Sequence, residues 1–263
     1  MPSDTDTSRT RLVMITCVAG WFLTALGVSL FGLFRTGPSS PPIPIGLALL
    51  VPLLLAGLAY ARSDRFRSLL LGIDLRWLIG VQLWRVAGEV FLLGYARNEL
   101  PASFAIPAGI GDVLVGLAAP LVAVLAAPGT RAGRRIIIGW SVVGLADLVV
   151  AVTMGVLNAP GKFGLLAGEV TTAPLLELPL SLIPTFFVPL SVLLHLIVLR
   201  RTLETSPVRA RFAPATSAIR PLMVMRSKTL RVLVYRVYHE YPQPSRLAQQ
   251  PRRGGARSRL HRP

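Results

Sequence analysis

Gln82, Arg85, Glu89, Asp112 and Asp147 interrupt stretches that are otherwise apolar over spanning length, and four of the five can carry charge. A guanidinium set among carboxylates can hold a cation, exchange a proton or clasp helices together. In hydrocarbon each such charge costs roughly 2.5 to 3.5 kcal/mol on insertion scales, so the four are expected to gather at one interior site. If all four ionise, the set sums to −2. Burial makes that sum costly; protonated carboxyls, a bound cation, a cationic substrate or a water-filled vestibule would each relieve it.

Spacing groups these residues. At about 100° per residue, Gln82, Arg85 and Glu89 share one helical stripe, and Arg85 and Glu89 can pair at i,i+4. Asp112 stands on a ridge of small residues, Ala105, Gly109, Gly116, Ala119 and Ala123, which lets a second helix approach closely. Pro107 removes a backbone hydrogen bond and, with Gly109 and Gly111, predicts a kinked or unwound entry. Asp147 shares a face with Trp140, Gly144, Ala151 and Asn158, while Ser181, Pro184, Ser191 and His195, with Pro189 between them, mark the last apolar run. Counted from flanking residues at 1.5 Å per residue, Arg85, Asp112 and Asp147 lie roughly 14, 16 and 18 Å deep. They can share one level. His195 lies close before Arg200 and reads as a secondary polar residue nearer the surface, as does Ser191 as a secondary polar position.

Other chemistries lack their residues. No His, Cys and carboxylate ligands cluster at metal-binding spacing, and no Ser-His-acid set occurs at one depth. Neither a metal, a cofactor nor a catalytic residue is therefore expected. Cys17 is the sole cysteine, which excludes an intrachain disulfide. Gly109-Ile110-Gly111-Asp112 is similar to the short pattern of intramembrane aspartyl proteases, with Asp147 as the second aspartate. In those enzymes, however, that pattern carries the second aspartate of the pair, whereas here it comes first, and no Pro-Ala-Leu element follows.

The elements that must position these groups are membrane helices. Hydrophobic residues make up 52% of the 263 and charged residues only 15%, with a mean hydropathy of +0.60, outside the range of ordinary soluble domains. The expected fold is all-α, a polytopic bundle of six spans at about 12–34, 43–61, 77–96, 103–127, 136–157 and 178–199, each near the ~20 residues that cross a bilayer. The first apolar run is too long for a signal peptide and reads as an uncleaved helix. Arg9, Arg11, Arg62, Arg65, Arg67, Arg76, Arg131, Arg134 and Arg135 flank one side, and only Arg35, Arg97 and Lys162 the other. Positive loops stay cytoplasmic, so both termini are expected there. The 158–177 connection could be a surface loop or could re-enter the membrane.

The first 203 residues form the expected membrane domain, and 204–263 an Arg-rich cytoplasmic tail whose composition predicts disorder. Residues 200–263 carry +13 of the chain's +16 charge. Interleaved basic and apolar residues from Leu222 to Tyr238 would suit anionic lipid, whereas no recognised nucleic-acid fold accompanies them and no nucleic acid is expected as a partner.

Gln82-x-x-Arg85-x-x-Gly88-x-x-Phe91, Leu100-Pro101-x-x-Phe104-Ala105-x-Pro107-Ala108-Gly109-x-Gly111-Asp112 and Ile183-Pro184-x-Phe186-x-Val188-Pro189-Leu190 with His195 resemble an uncharacterised family of bacterial multi-pass membrane proteins. The resemblance covers about residues 75–200. It implies a bacterial inner-membrane location and brings no established activity, substrate or cofactor. The residues thus lead to three expectations: a site that binds or moves a small solute or proton, a non-transporting scaffold or partner subunit, or an intramembrane enzyme. They leave the oligomeric state open.

Overall fold

The computed structural model describes residues 4–35, 37, 42–126 and 130–204. The tail from residue 205 onward, with its expected disorder and lipid contact, lies outside the described residues. Within them all regular structure is helical. Helices α1 (Asp4–Leu30), α2 (Ile43–Arg62) and the short α3 (Asp64–Gly72) precede four core helices. These are α4 (Leu75–Ala96), α5 (Ala102–Leu125), α6 (Arg131–Leu157) and α7 (Ile183–Glu204). All but α3 contain a segment long and apolar enough to cross a membrane, six in all among the described residues.

Local chemistry sets the starts. Ser63, Asp74 and Thr130 cap α3, α4 and α6 by accepting from the Phe66, Arg76 and Gly133 amides at 3.2, 2.7 and 3.0 Å, each satisfying one of the four free N–H groups of a helix start. Pro101 precedes α5, where a missing N–H costs nothing. At the head of α7, Pro189 cannot donate to the carbonyl four residues earlier; the chain instead closes a π turn over Ile183–Phe187, with the Val188 amide on the Ile183 carbonyl. The sixth helix accordingly starts later than the segment drawn at 178–199 and continues to Glu204.

Polarity runs opposite to that of a water-soluble bundle. Leu54, Leu114, Leu121, Val124 and Val149 face outward, whereas Gln82, Arg85, Asp112, Asn158 and His195 are buried. A surface of this kind matches lipid, where helices join through small residues and interior polar groups. The core has two apolar layers. One, toward the arginine-rich helix ends, contains Leu78, Ile79, Val115, Ala119, Ile137, Trp140 and Val198. The other, toward the opposite end, contains Phe91, Leu100, Phe104, Ala105, Ala108 and Leu175. On α4 and α5 the charged residues Arg85 and Asp112 fall between the two layers, so apolar packing closes the polar level above and below.

Residues 158–182 fold back over the end of α6. The Leu166 and Thr172 amides donate to the Leu157 and Asn158 carbonyls at 2.7 and 2.9 Å, and the Thr172 hydroxyl donates to the Gly155 carbonyl at 2.8 Å. Only a single short 3₁₀ turn, Ala173–Leu176, interrupts this connection before α7. It contains no spanning helix.

Candidate functional site

The middle of α4 is not α-helical. Val81–Gly88 forms a 3₁₀ run of eight residues, well beyond the usual ~3 to 4. At three residues per turn, side chains at i, i+3 and i+6 eclipse, and Gln82, Arg85 and Gly88 are the buried residues of this run. Glu89 is turned onto another face and is exposed. The i,i+4 pair with Arg85 expected from α-helical spacing does not form. The tighter winding puts glycine, rather than glutamate, in line with the arginine.

Arg85 is fully buried and holds three other helices. Its Nε donates to Asp112 Oδ1 on α5 at 2.7 Å. Nη2 donates to Asp147 Oδ2 on α6. Nη1 reaches the Gly144 carbonyl on α6 at 3.4 Å and His195 Nε2 on α7 at 3.2 Å. A guanidinium has only donors, so Nε2 of His195 accepts and its proton resides on Nδ1. The His195 ring packs on Trp140 with centroids 4.7 Å apart, and the Trp140 indole donates to the Val115 carbonyl at 3.1 Å.

Glycines make the convergence sterically possible. Each partner of Arg85 sits over a glycine of the preceding core helix: Asp112 over Gly88, Asp147 over Gly111, and His195 over Gly144. A Cβ at any of these glycines would overlap the side chain above it. Two more, Gly109 and Gly116, let α5 meet α4 directly; a Cβ there would lie 2.7 Å from Leu92 Cγ or 2.8 Å from the Val86 nitrogen. The small ridge around Asp112 is therefore the surface on which the 3₁₀ run lies.

Among the sequence candidates, Arg85, Asp112 and Asp147 meet, and Glu89 does not join them. Gln82 is buried beside them, about 6 Å along the axis from Arg85 at ~2 Å per residue, with both amide atoms lacking a partner. His195, expected nearer the surface, is central. Helix α7 continues past Arg200 to Glu204, which puts His195 roughly 14 Å from its end at 1.5 Å per residue. Its Nδ1 and the buried hydroxyls of Ser141 and Ser191 also lack partners among the described residues. Pro107 lies inside α5 without ending it, and Pro184 lies in the π turn. The Gly144 carbonyl has no side-chain signal, so sequence reasoning missed it. No group of three or more His, Cys, Asp or Glu residues able to hold a metal occurs among the described residues.

With both carboxylates ionised, Arg85, Asp112 and Asp147 sum to −1 in a level where Arg85 is fully enclosed and both aspartate side chains are only 10% exposed. Asp112 also reaches a separate feature. It lines a cavity of about 280 Å³, apolar but for Asp112 and Thr172, bounded by α2, the 158–182 connection and the halves of α5, α6 and α7 away from the arginine-rich ends, with Phe91 and Phe104 among its walls.

Residues 42–203 match a family model described as a domain of unknown function, DUF8737. That stretch takes in α2 as well as the four core helices. No curated protein and no solved structure matches the chain. The matched region covers more than half of the sequence and every residue of the polar level, and the chain belongs to the DUF8737 family.

Proposed function

We propose that the Arg85 level is an intramembrane site that binds or moves a small solute or proton, within a six-span protein of the bacterial inner membrane whose termini are both cytoplasmic. The observation that carries this reading is the set of uncommitted polar atoms around a nearly closed ion cluster: the Gln82 amide, His195 Nδ1 and the Ser141 and Ser191 hydroxyls. A buried donor or acceptor without a partner costs about 1 to 3 kcal/mol, and a purely structural network would satisfy its own members. The surplus negative charge supports the same reading, since a proton or a cation would neutralise it. The topology rests on the arginine asymmetry; a reporter placed after Gly37 is expected to lie outside the cytoplasm. The basic tail would add contact with anionic lipid.

Reconstitution tests the reading. Proteoliposomes of the full chain should dissipate an imposed pH gradient faster than empty vesicles, and Asp112→Asn should remove the difference while the protein stays folded. Parent vesicles no leakier than empty ones, together with a parent-like Asp112→Asn in solute screens, would sink it.

A second reading is favoured by a different observation. Arg85 bonds to α5, α6 and α7 at once, as a clasp in a non-transporting scaffold would. That reading makes the arginine's partners, and not its charge state, the essential feature.

A further inference from the structure

We propose that the cavity beneath α2 takes a monovalent amphiphilic amine, whose aromatic or aliphatic body fills the apolar space and whose ammonium reaches Asp112. This rests on the ligand-binding reading above and names the class of ligand. Several observations converge on it. Apart from Thr172, whose hydroxyl donates to the Gly155 carbonyl, the cavity walls are apolar, including Phe91, Phe104, Leu148 and Val152, and Asp112 is the one ionisable residue in the lining. Only Asp112 Oδ1 is engaged by Arg85, and Oδ2 has no hydrogen-bond partner among the described residues. A single ammonium would cancel the net −1 of the cluster, and pairing of that kind at low dielectric is stronger than a neutral hydrogen bond. The volume of about 280 Å³ compares with the ~150 Å³ apolar cavity that holds benzene, leaving room for one ring and a short chain. Finally, α2 forms one wall without fully burying any of its own residues, so on that side a single helix separates the cavity from the apolar outer surface.

Equilibrium binding of radiolabelled 2-phenylethylammonium to the full chain in nanodiscs of neutral lipid tests this, with empty nanodiscs subtracted and its uncharged isostere 2-phenylethanol as competitor. The amine is expected to bind at least about tenfold more tightly than the alcohol, as one charge-assisted contact implies. Asp112→Asn should erase that preference, and Ala151→Phe, which fills the cavity away from Arg85, should weaken both ligands. Equal affinities for amine and alcohol, or an Ala151→Phe protein that binds like the parent, would overturn the proposal. Absence of amine binding alongside intact Asp112-dependent proton flux would also overturn it while leaving the broader site reading standing.

Discussion

Replacing Arg85 by glutamine removes the one cation between Asp112 and Asp147. Arg85 has no exposed surface and each aspartate side chain is only 10% exposed, so water cannot take its place. Breaking a buried ion pair from one side costs about 3 to 5 kcal/mol, whereas replacing the whole set by neutral groups of similar shape is often close to neutral. The single variant also leaves His195 Nε2 without its donor, which places the expected loss in the upper half of that ~3 to 5 kcal/mol range. The triple variant Arg85→Gln, Asp112→Asn, Asp147→Asn should recover at least about 2 kcal/mol of it, a coupling normal for residues in one network. Reversible unfolding in mixed micelles, followed by tryptophan fluorescence because the Trp140 ring packs against His195, measures both quantities. An Arg85→Gln protein within about 1 kcal/mol of the parent, or a triple variant no more stable than the single one, would refute the assignment of a buried, mutually dependent cluster.

Gly111→Ala should destabilise by about 1 to 3 kcal/mol because the added methyl displaces the Asp147 carboxylate from Arg85. Gly139→Ala, with nothing within 4 Å of its Cβ position, should be neutral or stabilising by up to ~1 kcal/mol through helix propensity; the same unfolding assay compares them. Glu89→Gln should change stability by no more than about 0.5 kcal/mol, the usual range for positions outside a network. A larger loss would restore Glu89 as a partner of Arg85.

The helices were legible because hydrophobic length is a property of composition. The ridge of Ala105, Gly109, Gly116, Ala119 and Ala123 was legible as well, since α5 keeps its α-helical period and buries all five. Glu89 falls off the stripe of Arg85 because α4 winds at about three residues per turn here instead of ~3.6, and no residue in Val81–Gly88 announces that change. The central place of His195 was not legible because distance from Arg200 in sequence says nothing of which side chains meet it, and its contacts with Arg85 and Trp140 come from other helices. The pairing of Asp112, Asp147 and His195 with Gly88, Gly111 and Gly144 could be read only after the helices were packed. A glycine signals room, but the side chain that occupies the room comes from a different helix.

Proton flux and unfolding free energy measured on the same neutral triple variant test the central claim most directly. If the Arg85 level is a working site, the triple variant should be more stable than Arg85→Gln and stay folded while its proteoliposomes leak no faster than empty vesicles. Parent-like flux from that stable variant would show that the charges serve only to hold the helices together.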